Sequence, residues 1–386
     1  MAETDAPSGS GVNLYPRIEA ELESRLFSAS TTSALERDQR GTNIFLRGEF
    51  EATLHLSPQW SVEGAIDLEP IREVEPKGGT VGFRDQAAYI ETLRLDWKPT
   101  ERLTLFAGKF TAPFGHGHED FPGLLLDVRA EETYKIRESI GIGGTVAAVS
   151  DPRFGEHKLS AAVFGFDTSP LSETAFTRKR CCEGGFERFS RNTRGQGGPG
   201  NTGQFDNYVI ALDGEDMPFL PNTAYHLALL SRGPGVDGTK RETGFVAGLR
   251  HEIRWTEDTS TLLFGEFVQF RGAGGDPREQ RPEILNEPGM AIGGSSEVTV
   301  LERRRFTTIG AQTRSGPWRA TIGFQQDERK RSENQLPRAS FFEASVGRDL
   351  PMNFRLDVGY QYSTGVERRG DKADAVIGVL GWSASF

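Results

Sequence analysis

Long apolar runs are missing from this 386-residue chain. No stretch of about 18 consecutive apolar residues occurs, so the sequence holds no transmembrane helix. The weakly polar run from Ile140 to Val149 is too short and too rich in glycine. Cysteine is nearly absent: only the adjacent Cys181 and Cys182 occur, with no histidine or metal-ligand spacing around them. They read as a loop feature or a vicinal disulfide, and so few thiols suit an oxidising compartment. Basic charge is in deficit, with a formal net charge of -10; nucleic acid as a partner would require a concentrated basic face. No secretory leader is visible, and Met1-Ala2-Glu3-Thr4-Asp5-Ala6-Pro7 reads as a mature N-terminus behind a start methionine. Nucleotide loops, zinc spacings and nucleophile elbows are missing too, and Gly195–Gly203 lacks the strand–turn–helix context of a phosphate cradle.

What is present is alternation. A mean hydropathy of -0.47 and 26% charged residues would suit a soluble protein of two or three domains. A transmembrane β-barrel shows the same averages, because only every second residue of its strands meets lipid. In the segment 44–56, Ile44, Leu46, Phe50, Ala52, Leu54 and Leu56 share one face, opposite Arg47, Glu49, Glu51, Thr53 and His55. After Ser57-Pro58-Gln59 the pattern restarts with Trp60, Val62, Gly64, Ile66 and Leu68 opposite Glu63, Asp67 and Glu69. Comparable runs continue to the C-terminus, weakest near 17–28, 140–149 and 306–313. They are roughly 9–13 residues long, enough to cross a bilayer at a tilt, where strands of soluble sheets average about 5–6. A helical period of i, i+3, i+4 does not persist anywhere, so no helix is predicted.

The connections alternate as well. Short turns at 57–59, 98–102, 151–157, 213–222, 256–259, 315–317 and 349–352 interleave with longer segments near 29–43, 70–87, 111–138, 168–205, 231–243, 272–298, 328–338 and 364–372. They join about sixteen antiparallel strands with both termini on the short-turn side, as in bacterial barrels with short periplasmic turns and long outer loops. The fold expected is an all-β transmembrane antiparallel β-barrel over 17–386 around a water-filled, charged interior, preceded by a periplasmic segment, 1–16. Trp60, Trp97, Trp255 and Trp318 each sit beside a short turn and Trp382 near the C-terminal end, so all five would ring one membrane interface with Tyr225 and Phe354. The chain ends in Phe386, with Trp382 and Leu380 on the same face of the last strand. In this it resembles bacterial outer-membrane barrels, whose terminal aromatic is read by the barrel assembly machinery.

Gly108-Lys109-Phe110-Thr111-Ala112-Pro113-Phe114-Gly115 ends the fifth strand and opens the third long loop. This run resembles the phosphate-selective porin family, which implies a homotrimeric, diffusion-type channel with lumen-lining basic residues; the family's dense lysine and arginine ladder is not visible here. General porins fold their third long loop, here 111–138, inward to constrict the pore. By that analogy His116, His118, Glu119, Asp120 and Asp127 would face the lumen. By strand parity Arg47, Arg94, Arg250, Arg254, Arg319 and Arg355 point inward from the wall. Either these arginines oppose an acidic loop across a narrow passage, setting a transverse field, or they pair along the wall with Glu49, Glu51, Asp96, Glu252, Glu343 and Asp357. His116-Gly117-His118-Glu119-Asp120 carries metal-ligand residue types, but H-x-H on a loop is a weak signal and no metal or other cofactor is assigned.

The functional expectation is a non-enzymatic outer-membrane channel, a porin for small hydrophilic or charged solutes and ions. The alternative is a substrate-specific uptake receptor for a chelated metal or another specific solute, although no plug domain precedes the first strand. Expected partners are outer-membrane lipid and lipopolysaccharide. The basic loop residues Arg178, Lys179, Arg180, Arg188, Arg191 and Arg194, and Glu302-Arg303-Arg304-Arg305, offer contacts to lipopolysaccharide phosphates or read simply as solvated charge.

Overall fold

A computed structural model describes residues 14–70, 75–117, 119–174, 191–236, 239–275, 278–282, 295–299, 301–332, 338–366 and 371–386. Segment 1–13, His118, the Cys181–Cys182 pair and Arg178, Lys179, Arg180 and Arg188 lie outside the described residues. The main sheet has 17 strands, one of them the short Thr80–Gly82, which pairs in parallel with the start of another strand. The other sixteen run antiparallel. They are β1 (Arg17–Ser33), β2 (Gly41–His55), β3 (Trp60–Pro70), β4 (Gln86–Thr100), β5 (Leu103–Ala112), β6 (Ile136–Asp151), β7 (Gly155–Phe166), β8 (Asn207–Glu215), β9 (Thr223–Arg232), β10 (Glu242–Arg254), β11 (Thr259–Arg271), β12 (Glu302–Ser315), β13 (Trp318–Arg331), β14 (Ala339–Asp349), β15 (Phe354–Thr364) and β16 (Lys372–Ser385). β1 pairs with both β2 and β16, so the sheet closes on itself. Phe386 completes the closure, exchanging both backbone hydrogen bonds with Ala20 of β1 at 2.8 and 3.1 Å. Closure leaves no free edge, the only way a sheet can satisfy its backbone in lipid.

The outer surface is the apolar half of the alternation. Leu95, Ile142, Ile210, Leu229, Leu249, Ile309, Ile322, Val346 and Val358 are all exposed, forming a belt with contributions from most of the wall. Trp60 and Trp97 face each other across β3 and β4 and stack at 5.6 Å, Trp255 and Trp318 are exposed at the same rim, and Trp382 pairs with Phe354. Among the described residues no helix is long and apolar enough to cross a membrane, which does not bear on a barrel.

Two expectations need correction. The segment 111–138 contains a nine-residue α-helix, α1 (Leu126–Tyr134), where no helix is predicted. Its buried residues Leu126, Ala130 and Tyr134 recur every four positions, but two turns of a polar segment give too short a period to detect. The interior is also not charged all round. Phe110, Ala162, Phe164, Val209, Ala211, Ala228, Leu230, Val246, Val268, Phe270 and Phe306 form one apolar cluster along the inner face of β5–β12. Charged inward residues line the opposite wall, β13–β16 and β1–β4, and recur on β7–β11 toward the short turns and at Glu266.

Candidate functional site

The chain between β5 and β6 runs inside the barrel. Its apolar side chains dock first: Phe114, Ala130 and Tyr134 join the apolar cluster, with Phe114 5.5 Å from the Phe270 ring. Glycines on the wall make room for them. A Cβ at Gly310 or Gly323 would lie 2.5 or 2.6 Å from the Phe121 ring, and one at Gly244 would lie 2.7 Å from Phe114.

Two wall carboxylates then take up backbone donors that irregular chain would leave orphaned. Glu266 of β11 accepts hydrogen bonds from the His116 N–H at 2.7 Å, the Gly117 N–H at 2.9 Å and the Tyr134 hydroxyl at 2.6 Å. Glu343 of β14 accepts from the Leu124 and Leu125 N–H groups at 2.6 and 2.9 Å, placing negative charge at the N-terminus of α1. Ion pairs complete the attachment: Asp120 with Arg250 at 2.8 Å, Asp127 with Arg25 at 2.6 Å and Glu131 with Arg47 at 2.5 Å. Anchors therefore come from β1, β2, β10, β11 and β14, around the whole wall.

Of the six arginines read as inward, Arg47 and Arg250 reach the interior segment. Arg94 pairs with Glu63 at 2.7 Å and Asp96 at 3.1 Å, and Arg319 with Asp357 at 2.8 Å and Asp349 at 2.5 Å. Arg355 lies 3.3 Å from Asp357, and Arg254 pairs with Glu252 at 3.2 Å near the short-turn rim. These four pair along the wall, and of the six only Arg47 and Arg250 face the interior segment, joined there by Arg25. The lysine of the Gly108–Gly115 run points away from the lumen. Lys109 is buried on the outer face against Glu138 at 2.8 Å, Asp167 at 3.0 Å and the Leu171 carbonyl at 3.0 Å.

Sequence reasoning missed Arg25, Glu131, Lys135 and Arg137. Arg25 lies in the faintest strand pattern, and the other three lie on or beside the unpredicted helix. Glu131, Lys135 and Arg137 build one network with Arg47, and Arg25 pairs with Asp127 beside it. Arg47 bonds Glu69, Arg137 bonds Glu69 at 3.0 Å and Glu131 at 2.7 Å, and Lys135 bonds Glu91 at 2.6 Å. Burial would raise the Glu131 pKa, but Arg137, Lys135 and Arg47 hold it down at about 2.

The interior segment divides the free volume. A cavity of about 650 Å³ opens toward the long loops, lined by Phe45, Arg47, Leu125, Arg129, Glu132 and Phe341 among others. Arg129 lies over the Phe341 ring at 3.5 Å. Beside α1, against β1–β3, a slit of about 50 Å³ is lined by Glu23, Arg25, Arg47, Glu49, Asp67, Glu69 and Glu131. A chamber of about 350 Å³ lies nearer the short turns, among His116, Glu119, Asp120, Glu156, Lys158, Asp213, Glu215 and Arg250. Acidic groups outnumber basic ones in both the slit and this chamber.

His116 joins segment to wall, with Nδ1 3.3 Å from Glu119 and 3.8 Å from Asp120, and Nε2 3.4 Å from Asp213 of β8. Its ring packs edge-on against His226, which bonds Asp213 at 2.7 Å, while Arg250 takes Asp120 from the other side. Burial disfavours the imidazolium, but Asp213, Glu119 and Asp120 outweigh it and push the pKa up to about 10. A raised histidine contributes its full stabilisation below its free pKa of about 6.5 and loses it as pH rises through the folded value. Glu131, held low, contributes fully above about 4.5 and loses its share as pH falls toward about 2. Docking of the interior segment is therefore expected to hold from about pH 4.5 to 6.5 and to weaken beyond, with release around pH 10 on the alkaline side. Protease cleavage within 113–135, followed against pH, checks this. A His116→Gln barrel should lack the alkaline limb, and an identical limb in that variant would contradict the assignment.

No family model matches the chain, and comparison with curated proteins returns no significant relative. Among solved structures the chain is similar to the outer membrane channel DcaP of Acinetobacter baumannii, at 9% identity and a TM-score of 0.56, covering 95% of this chain and 97% of that one. The chain has the fold of an outer-membrane β-barrel. OmpT of Vibrio cholerae, an outer membrane protein, is similar at 9% identity with a TM-score of 0.52. Its loop L8 deletion mutant is similar at 9% identity and 0.53, covering 95% of this chain and 99% of that one. The likeness is one of fold.

Proposed function

We propose that this barrel is a passive outer-membrane channel for small hydrophilic solutes that favours cations, and that it is not an enzyme. The slit beside α1 carries this reading: five carboxylates (Glu23, Glu49, Asp67, Glu69 and Glu131) line it against two guanidinium groups, Arg25 and Arg47. A narrow passage in low-dielectric walls concentrates the field of its excess charge, so mobile cations accumulate there and anions are repelled. The architecture agrees, since sixteen strands enclose more space than their own side chains fill, and free volume remains on both sides of the docked segment, as the cavity toward the long loops and the chamber toward the short turns. The channel character of DcaP, similar in fold, supports the same reading.

The resemblance of Gly108–Gly115 to phosphate-selective porins would imply anion preference. Lys109, turned outward and neutralised by Glu138 and Asp167, lends that no support. A homotrimer belongs to this proposal on the strength of that resemblance, as does contact of the outer belt with lipid and lipopolysaccharide. The cavity of about 650 Å³ favours a second reading, selective uptake of one amphipathic solute, because aromatic and charged residues line it together. Planar-bilayer recording in a KCl gradient separates these. The expected result is stepwise openings whose reversal potential lies on the potassium side. A reversal potential on the chloride side would overturn cation preference, and a silent barrel that binds one solute saturably would establish the second reading.

A further inference from the structure

We propose that Glu49, Asp67 and Glu91 form a binding site for a hard divalent cation, calcium in preference to magnesium, in the wall of the slit. One ligand oxygen from each lies within 4.8 Å of the others. The three residues belong to adjacent strands, β2, β3 and β4, and face inward at one level; a bulge in β4 beside Glu91 and Thr92 brings Glu91 to that face. Clustered acids alone would be unremarkable on a surface. Here Asp67 and Glu91 are each only 6% exposed, so water does little to relieve their repulsion.

The second observation lies within Glu91. Its Oε1 is fully engaged, accepting from Thr111 Oγ1 at 2.8 Å and from Lys135 Nζ at 2.6 Å. Among the described residues no donor group reaches its buried Oε2; the neighbouring Asp67 carboxyl could supply one only by keeping its proton, which a bound cation would displace. A buried carboxylate oxygen left bare beside two further carboxylates calls for a positive ligand. Lys135 offsets one of the three charges, and a divalent ion would balance the remaining two.

Size favours calcium. Calcium–oxygen distances of about 2.3–2.6 Å let opposed ligand oxygens stand about 5 Å apart, whereas magnesium at about 2.0–2.1 Å draws them to about 4.2 Å and demands a near-octahedral set. Three protein carboxylates, two of them buried, leave little room for the waters that magnesium sheds reluctantly, and so fit calcium better. Glu49 and Asp67 also line the slit, which gives the ion a route and water for its remaining coordination positions.

Binding of the ion stands independently of the channel reading; only its effect on conduction rests on it. The test is calorimetric titration of the full-length barrel, stripped with chelator in detergent, with calcium chloride and then magnesium chloride. One saturable calcium site per barrel is expected, with magnesium at least tenfold weaker. Asp67→Asn and Glu49→Gln should each weaken calcium at least tenfold while keeping the folded mobility of the parent on unheated gels. Co-purified lipopolysaccharide also binds calcium, but that background would be the same in the parent and in both substituted barrels. A parent barrel that takes up no calcium, or one whose titration Asp67→Asn reproduces, overturns the site. In bilayers, calcium should shift the reversal potential toward chloride in the parent and leave Asp67→Asn unmoved. A barrel that binds calcium but never conducts would sink the channel reading and leave the site intact.

Discussion

Replacing Glu266 by alanine is expected to free the interior segment and raise single-channel conductance severalfold, with noisy openings in place of a steady level. The carboxylate holds three donors at once: the His116 and Gly117 N–H groups and the Tyr134 hydroxyl. Hydrogen bonds to a charged acceptor are worth about 1.5–3 kcal/mol each, and a buried donor stripped of its acceptor costs about 1–3 kcal/mol. Loss of all three is therefore on the order of 5 kcal/mol against docking. Barrel closure does not depend on Glu266, because its strand keeps its full ladder to β10 and β12. The variant should therefore still run as a folded barrel on an unheated gel. Glu266→Gln keeps one carbonyl oxygen at the site and should fall between. A Glu266→Ala channel that conducts like the parent would show that the apolar contacts of Phe114, Phe121 and Tyr134 hold the segment by themselves.

Arg47→Ala should strengthen cation preference while loosening α1. Arg47 is buried and spans Glu69 on the wall and Glu131 on the helix. Removing one partner from a buried pair typically costs about 3–5 kcal/mol, because the charge left behind has lost its solvation. Here Arg137 still reaches both carboxylates, at 3.0 and 2.7 Å, so the cost should sit at the lower end. The slit meanwhile loses one of its two positive charges. An ion about 4 Å from a unit charge in a water-like medium feels about 1 kcal/mol. Potassium loses a repulsion and chloride an attraction of that size, so the potassium-to-chloride permeability ratio should rise by about thirtyfold, read from the reversal potential. A ratio that stays constant or falls would place the permeant path elsewhere in the lumen, away from β1–β3.

The barrel itself was legible from residue order, and the reason is local. Alternation in a strand such as Ile44–Leu56 is a two-residue pattern that each strand displays on its own, and the bilayer enforces it strand by strand. The weakly patterned runs near 17–28 and 306–313 became full strands, β1 and β12, because closure supplies both with neighbours on either side. Parity likewise placed Arg47, Glu49 and Asp67 on the inner wall. It did not reveal which partners they meet, since Arg25, Arg47 and Asp67 converge only when β1, β2 and β3 lie side by side.

What sequence by itself determined is thus every property with a period: the number of crossings, the lipid face, the tryptophan rim at the short turns and the polarity of each inward position. Tertiary structure alone decided what fills the lumen. Val209, Ala228 and Val246 alternate as any inward residues would, yet side by side they make an apolar bed that receives Phe114 and Tyr134. Glu266 and Glu343 look like ordinary pore carboxylates until the chain from β5 brings its bare N–H groups to them. Those contacts join residues more than a hundred positions apart, and neither hydropathy nor spacing carries information over that distance. The free volume beside α1, and with it the acidic slit, exists because that segment crosses the lumen on anchors from both walls without filling it.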